Sequence, residues 1–214
     1  MSCVISKAPK LNGTPSVSAR TDEDLLLTYR ETQSRDLFEE LVRRYERELF
    51  SYLRRYVGDA EMAADVFQAT FLQLHTKCNQ FQEGRKLRPW LYTIATNQAI
   101  DAQRKNRRHR MVSLDSVSGS GDDDVVKLLD LMASNELGPE EVYGLKEDRN
   151  WVRQAVLDLP EHLRGVVTLV YYQGLKYREA ADVLDIPVGT VKSRMHTALL
   201  KLNEVFQGSQ VQGK

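Results

Sequence analysis

The chain has 214 residues, and its 30 basic and 30 acidic side chains give a formal net charge of zero. This balance excludes a surface coated with basic residues, so any nucleic-acid-binding surface must be local and offset by acidic residues elsewhere. Hydrophobic residues make up 42% of the chain, which is enough for a packed core, and the length allows one domain or two small ones.

The composition also bears on the cellular compartment of the protein and on whether it holds a metal ion. Two cysteines, Cys3 and Cys78, lie far apart and form no CxxC pair, which is typical of the reducing cytosol, so we expect a cytoplasmic protein. No apolar run approaches the roughly 18 residues of a membrane span, and no signal peptide is predicted. His75 precedes Cys78 by one helical turn, but no second pair of ligand side chains lies nearby, so we expect no metal site and no cofactor.

Helices are predicted from residue 21 onward, after a Ser-, Pro- and Lys-rich segment at residues 1–20 that we expect to be disordered. Thr21, Ser34 and Asp59 are predicted to cap the first three helices, because short polar side chains accept hydrogen bonds from the first free amides of a helix. The apolar period is 3.6 residues throughout and no strand is predicted, so the expected fold class is all-α. The expected core stripes are Phe38, Leu41, Val42, Tyr45, Leu49, Leu53 and Tyr56, then Ala63, Val66, Phe67, Thr70, Phe71 and Leu74.

Pro89 is predicted to lie in the first turn of a fourth helix, which runs to about Arg108. Its outer face combines an aromatic ring, an amide and cations, and a basic run at 104–110 extends it. Rings stack on unpaired bases, worth about 1–3 kcal/mol each, and cations bind phosphates, so this face is typical of a single-stranded nucleic-acid site. The alternative is that Trp90 is a core residue and that the basic residues only stabilise the C-terminal end of the helix dipole. Both interpretations give the same sequence pattern. The face consists of Trp90, Asn97, Asp101, Arg104 and Arg108.

Residues 111–139 are rich in Ser, Gly and Asp, and we interpret them as a flexible acidic linker between two domains, 21–110 and 140–206. The last residues, 207–214, are polar and are predicted to be a frayed tail. In the second domain, Pro160 is predicted to open a helix that ends at Gly174. Its expected buried face carries Leu163, Val166, Val167, Val170 and Tyr171.

The stretch at 176–202 predicts two helices joined by a tight corner. Pro187 keeps Ile186 out of the α region, and Asp185 tolerates a left-handed backbone, so the first helix ends there. Apolar residues at helical spacing form the inner faces of both helices. These faces are Tyr177, Ala180, Ala181 and Leu184, then Val191, Met195, Ala198, Leu199 and Leu202.

The outer face of the second of these helices is polar and basic. In a DNA-binding helix-turn-helix motif, the first residues of this helix contact base edges in the major groove. A helical hairpin in an ordinary bundle is the alternative, but the small residues, the proline corner and the basic outer face favour DNA binding. The predicted contact residues are Gly189, Thr190, Lys192, Ser193, Arg194 and His196.

Together the two halves resemble the σ70 family of bacterial RNA polymerase initiation factors, in its two-domain extracytoplasmic-function (ECF, group IV) type. The resemblance covers about 24–110 and 140–206. Residues 65–71 resemble the family segment that grips the clamp coiled coil of the polymerase, and residues 88–97 resemble the helix that opens and reads the −10 element. Residues 186–194 match the reader of the −35 element closely.

The resemblance implies a transcription initiation factor rather than an enzyme, with core RNA polymerase and promoter DNA as partners. An anti-sigma factor is left open as a further partner. The residues implied at the polymerase are Asp65, Gln68 and Phe71. The loop at 81–87 corresponds to the family's specificity loop, which implies that Phe81 helps to hold a flipped-out base.

Two positions depart from the family pattern. Ala69 stands where members usually have an acidic residue, so one charge contact with polymerase is missing. Asp185 stands where the corner usually has glycine, and because Asp adopts the same backbone at modest cost, we expect the turn to survive.

Two other classes of protein are weighed against this interpretation. A stand-alone helix-turn-helix repressor or activator would normally dimerise and carry a ligand-binding or receiver domain, and it leaves the face of the fourth helix unexplained. A nucleic-acid-processing enzyme would need clustered carboxylates or histidines on facing elements, whereas the four histidines are scattered.

The linker length limits how the two readers reach DNA. Promoter elements two helical turns apart lie about 70 Å from each other. A flexible linker of about 28 residues averages about 30 Å and reaches about 90 Å when extended. We therefore expect the linker to be drawn out in the working complex.

Overall fold

The computed structural model describes residues 17–112 and 152–212, and none of these residues lies in a strand. The all-α fold class is therefore confirmed. Residues 111 and 112 of the predicted linker belong to the fourth helix, and the rest of it lies outside the described ranges together with residues 140–151 of the predicted second domain. The first domain contains α1 (Asp22–Thr32), α2 (Arg35–Val57), α3 (Ala60–Lys77) and α4 (Leu87–Val112), with short 3-10 turns at Val17–Ala19 and Cys78–Gln80.

Local sequence signals set the helix ends of the first domain. The Thr21 hydroxyl accepts a hydrogen bond from the amide of Asp24 (3.1 Å), and the Asp59 carboxylate accepts one from the amide of Met62 (2.7 Å). Ser34 occupies the cap position of α2 without a side-chain hydrogen bond. Gly58 ends α2 with a left-handed backbone (φ 80°), which glycine adopts without a Cβ clash.

The N-terminal boundary differs from the prediction, because residues 17–20 are ordered against α2. The Arg44 guanidinium donates hydrogen bonds to the carbonyl oxygens of Arg20 (2.8 Å) and Ser18 (2.9 Å) and forms an ion pair with Asp22 (2.7 Å). A disordered segment has no such partners, so the predicted disordered region 1–20 was too long. Residues 1–16 lie outside the described ranges.

The Arg44 cluster also contains Glu40, whose carboxylate binds both Arg43 and Arg44 at 2.8 Å. Hydrogen bonds from these guanidinium groups lower the pKa of Glu40 from 4.5 to about 2. Because the folded pKa is depressed, the stabilisation is complete above about pH 4.5 and is lost as the pH falls towards 2.

We expect Glu40→Gln to reduce stability at neutral pH by no more than about 1 kcal/mol, since solvent screens the exposed Arg43. The free energy of unfolding should also fall less steeply with acid in this variant than in the wild type. Urea titrations between pH 6 and pH 3 measure both effects, with the exposed Glu46→Gln as the matched control. If the free energy of unfolding fell equally with acid in Glu40→Gln and in the wild type, the lowered pKa of Glu40 would not contribute to stability.

The described part of the second domain contains a helical segment at residues 152–157, followed by three further helices. These are α5 (Glu161–Val167), α6 (Tyr177–Leu184) and α7 (Val188–Gln212), and α5 runs on as a π-helical segment, Thr168–Tyr172. The helix expected to open at Pro160 is confirmed. Helix α7 continues past residue 206, so the predicted tail is helical as far as Gln212.

The π-helical segment explains one wrong burial prediction. Tyr171 was expected on the buried face of its helix, but it is 75% exposed. A π turn inserts one residue relative to α-helical spacing and so rotates the following side chains. The rotation turns Tyr171 to solvent and buries Gln173, whose backbone amide donates to the Thr168 carbonyl five residues earlier (3.1 Å).

The two domains pack against each other. Helix α4 of the first domain contacts α6 of the second, and α2 contacts the π-helical segment. Buried apolar side chains of both domains form one continuous cluster. Within the first domain, the buried hydroxyls of Tyr52 and Thr96 are hydrogen-bonded (2.7 Å) and join α2 to α4.

Candidate nucleic-acid interface

Helices α6 and α7 form the predicted helix-turn-helix, with the corner at residues 185–187. Asp185 adopts the left-handed conformation (φ 51°, ψ 50°), which confirms that the turn survives without glycine. The amide of Ile186 donates to the Ala181 carbonyl (3.1 Å), closing the end of α6. The Pro187 carbonyl accepts from the amide of Thr190 (2.8 Å) and starts α7. This corner fixes the direction in which α7 leaves α6.

We expect Asp185→Gly to stabilise the second domain by about 1 kcal/mol, because a left-handed backbone costs a non-glycine residue about 1–2 kcal/mol and glycine nothing. The matched control is Asp182→Gly, which places glycine within α6 and should destabilise it by about 1 kcal/mol. Thermal unfolding of both variants measures the two shifts. A lower melting temperature for Asp185→Gly would show that the Asp185 side chain stabilises the corner.

Most of the predicted contact residues lie on the solvent side of α7. Gly189, Lys192, Ser193 and His196 are exposed, and Thr190 is partly exposed. The opposite side buries Val191, Met195 and Ala198 against α5 and α6, as predicted, whereas Leu199 is 55% exposed rather than buried.

Arg194 lies at the edge of the outer face rather than at its centre, because it neighbours Val191 and Ala198 at helical spacing. Its side chain is half-buried. Its charge acts on Tyr56 of the first domain: burial raises the pKa of that phenol to about 12, while Arg164 and Arg194 oppose the rise.

The polar face predicted on α4 is present and accessible. Asn97, Asp101, Arg104 and Arg108 are all exposed along one side of the helix. Arg104 and Asp101 approach each other at 3.9 Å, with both side chains at least 70% exposed, so this pair is weakly held. The face can therefore present an amide and two cations to a ligand.

The aromatic residues of this site are less accessible than the sequence predicts. Trp90 is half-buried and its ring packs on that of Phe81, with the centroids 5.2 Å apart. Phe81 is only 3% exposed, because the loop folds its ring into the core beside α4. Base capture by Phe81 would require its ring to leave this packing, so here it supports Trp90 from beneath.

Helix α3 carries the residues predicted to bind polymerase, and one of them is buried. Asp65 and Gln68 are exposed, but Phe71 is 6% exposed and packs edge-on against Phe38, with ring centroids 6.2 Å apart. The neighbouring Leu72 is instead 65% exposed. Leu72 follows Asp65 and Gln68 at a spacing of seven and four residues, so it shares their face, and this helical spacing is the sequence signal that could have identified it.

A groove of about 580 Å³ lies between α3 and α4 and is lined by Asp65, Ala69, Asp101 and Lys105 among others. Asp65 belongs to the predicted polymerase-binding face and Asp101 to the predicted DNA-binding face. The groove therefore makes these two surfaces neighbours on one side of the first domain.

Within the described ranges, no three or more His, Cys, Asp or Glu side chains cluster so that they could hold a metal ion. The helices of residues 17–112 and 152–212 are all too short or too polar to span a bilayer. The surfaces described above present exposed cations, amides and apolar side chains.

Comparison with known proteins assigns both domains. Residues 41–109 match the family described as Sigma-70 region 2, and residues 149–202 match Sigma-70, region 4. The ECF RNA polymerase sigma factor SigW of Bacillus subtilis (strain 168) is 32% identical over 161 residues, which are 75% of this chain and 84% of that protein. The ECF RNA polymerase sigma-E factor of Escherichia coli (strain K12) is 32% identical over 165 residues, covering 75% of this chain and 82% of that protein.

Solved structures support the fold at lower identity. The sigma factor RpoE, crystallised with the anti-sigma factor NepR from Bartonella quintana, superposes with a TM-score of 0.62 at 23% identity, covering 79% of this chain and 96% of that one. CnrH, in complex with the cytosolic domain of CnrY, gives a TM-score of 0.60 at 22% identity over 87% of this chain and 97% of that one. From the two matched regions and the identity to curated relatives, this chain belongs to the ECF sigma factors, the promoter-directing transcription initiation factors of the σ70 family.

Proposed function

We propose that the first domain docks on core RNA polymerase and captures the −10 element, while α7 of the second domain reads the −35 element. The observation that carries the proposal is the exposed outer face of α7, which begins directly after the left-handed corner at Asp185. In helix-turn-helix proteins these positions contact base edges in the major groove. Lys192, Ser193 and His196 are the central residues of this face, and Arg194 joins them at its edge.

For the −10 element, we assign α4 as the surface that holds unpaired bases. Asn97 can hydrogen-bond a base edge, and the half-buried Trp90 offers part of its ring for stacking. Arg104 and Arg108 are exposed on the same side and suit phosphates, which position DNA without reading its sequence. Binding energy from these contacts offsets the cost of separating the strands.

For polymerase, we assign the face of α3 formed by Asp65, Gln68 and Leu72. The carboxylate and amide offer polar contacts, and the 65% exposed leucine supplies apolar area that the rest of this face lacks. Leu72 takes the apolar role that the family resemblance implied for Phe71, because Phe71 is committed to the core.

We further propose that the protein acts in the cytoplasm without catalysing a covalent reaction, and that an anti-sigma factor regulates it. The sigma factor RpoE was solved in complex with the anti-sigma factor NepR from Bartonella quintana, and CnrH in complex with the cytosolic domain of CnrY. The fold shared with these two proteins supports a similar partner for this chain.

In vitro transcription on a library of promoter fragments, with and without core polymerase, tests the function. We expect sequence-selective transcripts only when core polymerase is present. If no transcript forms and the protein alone shifts duplex DNA tightly, a stand-alone repressor or activator is the better description.

Single variants then test the assignment of α7. A lost base contact costs about 1–3 kcal/mol, so Lys192→Ala should lower transcription from promoters with the preferred −35 sequence by at least about fivefold. Lys201→Ala is the matched control, because it removes the same charge from an exposed position farther along α7. An equal loss of transcription in both variants would indicate a general effect of positive charge rather than recognition of the −35 element by the outer face of α7.

A further inference from the structure

The specificity loop between α3 and α4 is held at both of its ends by side chains of α1. At its start, the Arg30 guanidinium donates hydrogen bonds to the Phe81 carbonyl (3.4 Å) and the Glu83 carboxylate (3.1 Å). At its end, the Glu23 carboxylate accepts a hydrogen bond from the backbone amide of Leu87 (3.0 Å). Glu23 and Arg30 are therefore two anchors that fix the loop to α1.

The anchor at Glu23 supplies a cap that the local sequence of α4 lacks. The first amides of a helix have no partner within the helix, and a short polar side chain just before it usually accepts from one of them. Helix α4 begins at Leu87 and is preceded by Lys86, whose ammonium group can only donate. The Glu23 carboxylate accepts instead, and its negative charge also suits the positive end of the α4 dipole. The first turn of α4, which leads into Trp90, thus depends on α1.

The spacing of the anchors shapes the loop between them. They are seven residues apart in α1, so they lie on one face of the helix, about 10 Å apart along its axis. Six extended residues would span about 20 Å, so the loop has to double back. It does so in a turn, in which Gly84 is left-handed (φ 82°) and the Arg85 amide donates to the Gln82 carbonyl (3.2 Å). Residues 82–86 are all exposed as a result.

The anchored loop also supports the aromatic part of the proposed base site. Phe81, whose carbonyl oxygen is bound by Arg30, packs its ring on that of Trp90, with the centroids 5.2 Å apart. Helix α1 is itself fixed to the end of α3, because the Tyr29 hydroxyl and the His75 Nδ1 atom share a hydrogen bond (2.5 Å). Loss of an anchor would therefore loosen the surface on which Trp90 rests.

The exposed part of the loop carries groups that suit nucleic acid. Gln82 offers an amide that can hydrogen-bond a base edge, and Arg85 and Lys86 offer cations for phosphates. A loop that is already ordered binds without the entropic cost of ordering, and it excludes bases whose edges do not match it. A loop with free ends could adjust to several bases. Base selection should therefore depend on the anchors.

We propose that Glu23 and Arg30 are positioning residues, which hold the specificity loop in the conformation that selects one unpaired base of the −10 element. They act through the loop and through the start of α4. The inference rests on the proposed function, because it takes the loop and α4 as the surface that holds −10 bases. The anchors should accordingly set the preference among bases at one promoter position.

Transcription with core polymerase, on promoters that differ in a single base of the −10 element, tests the proposal. The readout is the ratio of initiation rates between the preferred base and the next best base at each position. Arg30→Ala and Glu23→Ala should each lower this ratio about fivefold at one −10 position, on the order of one lost base contact, and leave the preference at the −35 element unchanged. Glu23→Gln should keep most of the wild-type ratio, because its side-chain oxygen can still accept from the Leu87 amide.

Two control variants remove the same charges from nearby positions. Asp24→Ala removes an exposed acidic residue from the same turn of α1, where it favours the helix dipole as Glu23 does. Arg35→Ala removes an exposed arginine whose ion pair with Glu39 lies within α2. Both controls should keep the wild-type base preference. A loss of stability alone would lower the rates on all promoters alike and would leave the ratio unchanged.

Hydrogen exchange of the Leu87 amide in the free full-length protein, followed by NMR, measures the anchoring without polymerase. Glu23→Ala removes a charged acceptor, so exchange of this amide should become at least about tenfold faster. Glu23→Gln should exchange more slowly than Glu23→Ala, and Asp24→Ala should exchange as the wild type does.

The outcomes separate the anchors from the proposed function. Unchanged exchange in Glu23→Ala, or rates that fall alike on all promoters in both alanine variants, overturns the positioning role even if the wild type transcribes normally. Faster exchange together with a reduced base preference supports it. If exchange becomes faster but the wild type never initiates with core polymerase, the proposed function is contradicted, and the role of the anchors in base selection is overturned with it.

Discussion

Removing half of the predicted linker, residues 111–139, is expected to abolish promoter-dependent transcription while both domains remain folded. Fourteen remaining residues span at most about 50 Å, since an extended residue covers about 3.3–3.6 Å. Promoter elements two helical turns apart lie about 70 Å from each other, so the shortened tether cannot let α4 and α7 bind together. The effect follows from contour length alone and does not depend on the composition of the segment.

The control replaces the same residues with an equal number of Gly and Ser, which keeps the reach and should keep most of the activity. Abortive and full-length transcripts from a two-element promoter are the readout, with helicity measured by circular dichroism. Wild-type transcription from the shortened protein would contradict the proposal that α4 and α7 bind the two promoter elements at the same time.

The second large effect is expected on stability at Leu74, compared with Leu72 two positions earlier in α3. Leu74 is 1% exposed and Leu72 is 65% exposed. Leu74→Ala should reduce the free energy of unfolding by about 2–5 kcal/mol, because it removes buried apolar contact and leaves a cavity. Leu72→Ala should change it by no more than about 0.5 kcal/mol. Urea unfolding of the two variants measures the difference.

The same pair separates folding from polymerase binding. If Leu72 belongs to the polymerase-binding face, Leu72→Ala should weaken association with core polymerase although its stability is that of the wild type. If Leu72→Ala lost stability, or if it stayed stable and bound core polymerase with unchanged affinity, Leu72 would not belong to the polymerase-binding face. Leu74→Ala should lose binding only to the extent that it unfolds.

The sequence by itself determined the features that depend on neighbours along the chain. Thr21 and Asp59 cap their helices through amides three residues away, and Asp185 turns the corner through its own backbone preference. The outer face of α7 and the polar side of α4 follow from helical spacing. The same local patterns carry the family resemblance, so the residue pattern alone was sufficient to predict a transcription initiation factor.

The spacing of apolar residues along the sequence could not determine which of their side chains are buried in the core. Phe71 and Leu72 are adjacent, and only the packing of α3 on Phe38 buries the first and exposes the second. Phe81 lies in a loop without periodicity, so its burial under Trp90 depends on how the loop folds back. A π turn displaced Tyr171, and no residue pattern had indicated it.

The placement of one domain on the other was decided by tertiary structure alone. Gln173 and Tyr92 are 81 positions apart, and their hydrogen bond forms only because α6 packs on α4. A glutamine within a chain has no preferred distant partner, and a glycine at 165 signals nothing until the Tyr56 ring stands against it. Contacts between distant segments depend on shape and burial, which helical periodicity does not encode. For this reason the packing of the two domains could be found only in the folded molecule.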